Sequence, residues 1–144
     1  MTMTMWTRRA LGTAAVALVS VAARRSQAAA DPVHAVFVEQ AAAMKRDAIA
    51  AGDQPFGAVV VRGGEIVGFG PSRVVVRNDA TAHAEREAIR DAKARLGRAD
   101  LSDCVMYSTS RPCADCEQAA AEVRLARMYV GRDATDVGAP RRLR

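Results

Sequence analysis

Hydrophobic positions along the chain change period several times, and each change marks an element. Val33, Phe37, Ala41, Met44 and Ala48 recur at helical spacing. Asp31 precedes them as a cap, Pro32 takes the first helical position and Gly52 stops the run, which predicts a helix over 32–51. Pro55-Phe56-Gly57-Ala58-Val59-Val60-Val61 is short, continuous and β-branched, the pattern of a strand covered on both faces. Gly63-Gly64 then makes a tight hairpin turn, and Glu65–Gly70 returns as a second strand. Ser72–Asn78 reads as a loop, within which Val74-Val75-Val76 could form a short strand.

A second helix is expected from Ala82 to Leu96, ended by Gly97. Ala82, Glu85, Ile89, Ala92 and Leu96 share one face, so Glu85 is a carboxylate in an apolar stripe. An unpaired carboxylate is costly to bury, which points to a partner or a chemical role. Cys104–Thr109 follows as a third strand, Cys113–Arg124 as a third helix and Met128–Gly131 as a fourth strand. Strand, helix, strand in that order implies a parallel pair joined by a crossover. Helices on both faces of a mixed sheet give an α/β fold, a three-layer α/β/α sandwich.

The chain has 144 residues, enough for one domain with its own core. Half of them are apolar and about a quarter charged, as in ordinary globular proteins. The net charge of +5 is uneven. Residues 1–30 hold Arg8, Arg9, Arg24 and Arg25 and no acid, so the rest of the chain is close to neutral. That argues against nucleic acid as a partner, since such binding rests mainly on neutralising phosphates.

The same thirty residues have the order of a secretory signal: Arg8-Arg9, an apolar run from Ala10 to Ala23, then Ala28-Ala29-Ala30 before Asp31. The arginine pair resembles a twin-arginine export signal. Residues 1–30 are therefore expected to be a leader and 31–144 an exported, periplasmic domain. If the leader is instead a start codon placed too early among Met1, Met3 and Met5, the protein stays in the cytoplasm. The apolar run is shorter than the roughly 20 residues a bilayer requires, so no stable membrane anchor is expected.

Three cysteines cannot all pair. Cys104, in an apolar stretch, reads as a buried small hydrophobe. Cys113 and Cys116 form C-A-D-C at a helix start, where exposed N–H groups and the helix dipole favour thiolates. His83 begins the other helix, and with the two cysteines it makes three zinc ligands with a fourth position open, the catalytic arrangement. His83 and Glu85 lie about 200° apart around an ideal helix. One can therefore hold a metal near the helix tip while the other reaches past it to water. His34 has no ligand-like neighbour and reads as a surface residue. Asp79 and Thr81 read as helix caps.

His83-Ala84-Glu85 followed by Pro112-Cys113-Ala114-Asp115-Cys116 is the H-x-E…P-C-x-x-C signature of zinc deaminases. The chain resembles the cytidine/deoxycytidylate deaminase superfamily over roughly residues 33–131. It is most similar to the branch of guanine, nucleoside and tRNA adenosine deaminases. Asn78-Asp79-Ala80-Thr81-Ala82-His83-Ala84-Glu85 and the strand from Pro55 to Val61 carry that likeness. The resemblance implies a cytidine deaminase-like fold, Zn2+ on His83, Cys113 and Cys116, and Glu85 as the proton carrier in hydrolytic loss of ammonia. It implies substrate contacts from Phe56, Ser72, Asn78, Ala84 and Ser110, a small nucleobase or nucleoside (guanine-, cytosine- or adenine-type) as substrate, and a possible homodimer.

The chain departs from the branch at four places. Ser72 stands where an asparagine eleven residues before the histidine usually reads the base. Arg111 replaces a glutamate before Pro112-Cys113. Glu117-Gln118 replace small or apolar residues. Gly138-Ala139-Pro140-Arg141 stands where acidic residues mark guanine-specific members, and the usual C-terminal helix is not expected. Arg73 and Arg111 could attract an anionic group, or be solvated surface arginines. A zinc-stabilised binding module without catalysis, and a tRNA adenosine deaminase, stay open as alternatives.

Overall fold

A computed structural model describes residues 31–143; the expected leader and cleavage site, in residues 1–30, lie outside the described residues. Helix α1 (Pro32–Ala50) begins where Asp31 Oδ1 accepts the Val33 N–H at 3.1 Å. Strands β1 (Gly57–Arg62) and β2 (Glu65–Pro71) form an antiparallel hairpin. Helix α2 (Ala84–Leu96), strand β3 (Cys104–Ser108), helix α3 (Ala114–Glu122), strand β4 (Arg127–Val130) and strand β5 (Thr135–Gly138) follow. The sheet order is β2-β1-β3-β4-β5, with β3 and β4 parallel and the other neighbours antiparallel. The α3 crossover between parallel strands is the expected one.

Side-chain alternation along β1 builds the layers. Val59 and Val61 pack with Phe37, Ala41 and Tyr107 under α1. Ala58 and Val60 pack with Ala84, Ala88, Ala92, Ala120 and Met128 under α2 and α3. On that second face the helix comes unusually close to the sheet. A Cβ on Gly70 would stand 2.0 Å from the Ala84 carbonyl oxygen, and one on Gly68 2.3 Å from that of Ala88. Glycine in β2 and alanine in α2 thus let two backbones touch, which sets the height of the α2 N-terminus.

Four local expectations are corrected. Val74-Val75-Val76 is a turn rather than a strand; Val75 and Val76 are exposed, and their N–H groups go to a side chain instead of a neighbouring strand. Helices α2 and α3 start two residues and one residue later than expected, because His83 and Cys113 occupy extended N-cap positions. His34 is not a plain surface residue: its Nδ1 lies 2.7 Å from Tyr107 Oη and its ring stands 4.7 Å from that of Tyr129. Asp79 and Thr81 cap each other in a turn before α2, with Asp79 Oδ1 accepting both the Thr81 N–H and hydroxyl.

Strand β5 has no counterpart in the sequence reading. It is four residues, Thr-Asp-Val-Gly, in which Asp and Gly offset the strand preference of Thr and Val, and pairing with β4 creates it. Beyond it, Arg141 donates from its backbone N–H and Nε to Glu117 Oε1 (both 3.0 Å), and the Leu143 N–H donates to Gln118 Oε1 at 2.7 Å. The polar Glu117-Gln118 pair within α3 is therefore the seat of the C-terminal segment. No helix follows β4 among the described residues.

Candidate metal centre

Two helix N-termini meet at one end of the sheet. His83 is the N-cap of α2 and Cys113 the N-cap of α3, and neither side chain bonds to its own helix. An N-cap residue normally spends a side-chain oxygen on the first-turn N–H groups. Here the imidazole and thiol are free to face each other. His83 Nδ1 lies 3.6 Å from Cys113 Sγ and 3.4 Å from Cys116 Sγ, and all three donor atoms fall within 4.8 Å of one another. Four-coordinate zinc, with Zn–S of about 2.3 Å and Zn–N of about 2.0 Å, puts neighbouring sulfur and nitrogen donors about 3.5 Å apart. The donor set fits that metal. Burial, and then the nearby Glu85 carboxylate, push the Cys116 thiol well up, so it gains its charge only beside a cation. Among the described residues no other such cluster occurs.

The approach to α2 is held from two sides. Glu87, buried on α2, accepts from Arg77 in the preceding loop and from Arg90 on its own helix. Asp53, at the end of the α1–β1 connection, accepts the Gln54, Val75 and Val76 N–H groups and the Ser72 hydroxyl at 2.8–2.9 Å. Burial alone would raise the Asp53 carboxyl, but these hydrogen bonds outweigh it and hold the group below the usual carboxylate range. The segment leading to His83 is thus anchored before the helix begins.

His83 and Cys113 open onto a cavity of about 150 Å³ that Phe56, Ala84, Glu85 and Ser110 also line. Pockets that enclose drug-sized ligands run roughly 300–1,000 Å³, so this one suits a single small ring system. Two larger hollows lie elsewhere. One of about 250 Å³ sits beside α1, lined by Lys45, Arg46, Tyr107 and Arg132 among others. The other, about 470 Å³, is an open groove with Arg73, Arg77, Arg90 and Arg95. Neither contains the three-donor cluster, and the chemistry decides for the smaller cavity.

The family model for the cytidine and deoxycytidylate deaminase zinc-binding region matches residues 31–132. The chain belongs to this deaminase family. Guanine deaminase of Bacillus subtilis (strain 168) is 42% identical over 84 residues, covering 58% of this chain and 54% of the relative. A guanine deaminase structure from that organism superposes with a TM-score of 0.66 at 37% identity, over 68% of this chain and 63% of the other. The tRNA-specific adenosine deaminase of Agrobacterium fabrum (strain C58 / ATCC 33970) is 37% identical over 95 residues, covering 66% and 62%. The solved complex of NE0047 with 2,6-diaminopurine gives a TM-score of 0.64 at 29% identity over 70% and 56%. The chain thus spans a little over half the length of the guanine deaminase it matches.

In this member of the family, zinc is the metal that His83, Cys113 and Cys116 fit. The structure brings Glu85, Phe56, Ala84 and Ser110 to the same cavity. Two expected substrate contacts stand outside that lining. Ser72 is fully buried with its hydroxyl spent on Asp53 Oδ1. Asn78 is an exposed turn residue at φ 49°, a backbone state that asparagine tolerates. Arg73 lies in the open groove, whereas Arg111 reaches the cavity rim. Sequence reasoning missed Gln54, which also lines the cavity, and Ser108, whose hydroxyl reaches Glu85. The Gln54-Pro55-Phe56 run could have flagged Gln54. Nothing local marks a strand serine as a neighbour of a helix carboxylate.

Proposed function

We propose that this deaminase hydrolyses the exocyclic amino group of a small nucleobase or nucleoside, with guanine-type rings first, and releases ammonia. One observation carries the reading: a buried carboxylate and a three-donor zinc cluster share one small cavity. The guanine deaminase relative and the diaminopurine complex support the choice of ring. When bound, zinc supplies a water-derived nucleophile at neutral pH. Glu85 takes a proton from the attacking water and delivers it towards the ring nitrogen and the departing amine. The Ala84 N–H is in the first turn of α2, free of helical partners, and donates to the ring's acceptor edge. The Ser110 carbonyl accepts from the ring, and Phe56, 40% exposed, offers it a flat face. Ser72 and Asn78 have no part in this scheme.

The test is a panel of guanine, cytosine, adenine and their nucleosides on zinc-loaded protein, with metal analysis of the same sample. Ammonia from at least one compound, lost in Glu85→Gln with zinc retained, is the expected result. Full zinc with no ammonia from any compound overturns the reading in favour of a binding module. Turnover of tRNA alone would move the substrate to adenosine in RNA. We further propose, from the sequence of residues 1–30, that the protein is exported; its absence from the periplasmic fraction would end that proposal.

A further inference from the structure

Ser108 is a buried polar side chain beside the cavity to which the scheme above gives no task. Ser108 ends β3, is 3% exposed, and is held by pairing to Ala58 of β1 and Val130 of β4. Its carbonyl accepts the Gly131 N–H at 3.0 Å, so its backbone is fastened on both sides. The residue two places earlier, Met106, belongs to the α2/α3 face, and strand alternation puts Ser108 on that face too. From there its Oγ lies 3.3 Å from Glu85 Oε1 and also contacts the Ser110 carbonyl oxygen. These two oxygens belong to different parts of the chain, and Glu85 and Ser110 both line the cavity. The thiol of Cys116, one of the three candidate metal donors, also neighbours Glu85.

We infer that Ser108 is a positioning residue: its hydroxyl ties the Glu85 carboxylate to the Ser110 carbonyl and keeps the proton carrier and the base-binding carbonyl in register. The inference rests on the deaminase reading of the site. A serine hydroxyl carries a single proton and both neighbours are acceptors, so that proton is shared between them in a three-centre arrangement from one point. The anchor is β3, the central strand of the sheet, paired on both sides. Alanine at 108 leaves the carboxylate free to rotate, while threonine keeps the hydroxyl.

The experiment compares zinc-loaded wild type, Ser108→Ala and Ser108→Thr on whichever panel compound the wild type turns over. Losing a hydrogen bond to a charged group predicts a fall in kcat of about 10- to 100-fold for Ser108→Ala. KM is expected within about twofold of wild type and zinc at the wild-type level, with Ser108→Thr restoring kcat to within about threefold. A kcat within about twofold of wild type in Ser108→Ala, or a loss carried by KM alone, overturns the inference. Crystal structures of zinc-loaded wild type and Ser108→Ala give a readout without turnover. Displacement or disorder of the Glu85 carboxylate in the variant is expected; an unmoved carboxylate overturns the inference. If the wild type releases no ammonia, the functional reading fails, and these two structures alone decide the role of Ser108.

Discussion

The two faces of the sheet are built on different principles. Where α2 crosses β2 the contacts are glycine against alanine, and the two backbones all but touch. Under α1 they are aromatic: Phe37, Tyr107 and Tyr129 with His34, ring centroids 4.7–5.6 Å apart, beside a hollow of about 250 Å³. The metal donors sit on the tight face. A tetrahedral donor set tolerates errors of only about 0.2 Å in its distances. Small residues fix helix position to that precision because they leave no rotamers to adjust. Large rings fill volume and leave space beside them.

The comparison is broken most forcefully at Gly70. An added Cβ 2.0 Å from the Ala84 carbonyl must move α2, and with it His83 and Glu85. Gly70→Val is expected to cost about 3 kcal/mol or more, and to lose zinc, read by urea titration and metal analysis. Next comes removal of the metal. Cys116→Ser should lower zinc occupancy, and chelation of the wild type should reduce stability by about 3–4 kcal/mol if zinc was present at 100- to 1,000-fold its Kd. Little response to chelation would mean that the tight face needs no metal to hold its shape.

On the aromatic face the expected effect is smaller. Tyr107→Phe loses the contact with His34 Nδ1 and should cost about 1 kcal/mol, leaving zinc content and deaminase activity unchanged. Burial pushes the Tyr107 hydroxyl up to about 12, so it keeps its proton across the ordinary pH range.

The acid response sharpens the comparison further. The Asp53 carboxyl is depressed in the folded protein, so its stabilisation is full above the unfolded value near pH 3.9 and is lost as pH falls through the lower folded value. Between about pH 5 and about pH 2 the urea midpoint of wild type should fall more steeply than that of Asp53→Asn. Parallel curves would show that the loop before His83 does not depend on that carboxylate. The smallest effect is expected at the tail. Arg141 and Glu117 pair at the surface, and Arg141→Ala should leave midpoint and zinc content unchanged within error.

Much of the site was legible because its signals are local. H-A-E and P-C-A-D-C name the three donors and the carboxylate proposed to carry the proton, and periodicity places both motifs at helix starts. The cavity lining was less legible. Ser72 aligns with a base-reading position, yet its hydroxyl is drawn to Asp53, nineteen residues away, a pairing no spacing rule reports. Glu117-Gln118 looked like an intrusion into α3 until the C-terminal segment was found bound to them. Cys104 was read correctly as a buried small hydrophobe: desolvation first, then Asp103, push its thiol up to about 11.

The sequence by itself determined the order of elements, the two-sided burial of β1 and the identity of the donors, since each follows from residue type and period within a short window. Tertiary structure decided the rest. It made His83 and Cys113 N-caps, so that a ligand and a carboxylate two residues apart reach one cavity. It also set Ser108 against Glu85, created β5 by pairing, and gave Asp53 its four hydrogen-bond donors. These depend on how closely two backbones approach and which distant groups then meet, a three-dimensional distance that a linear pattern does not contain.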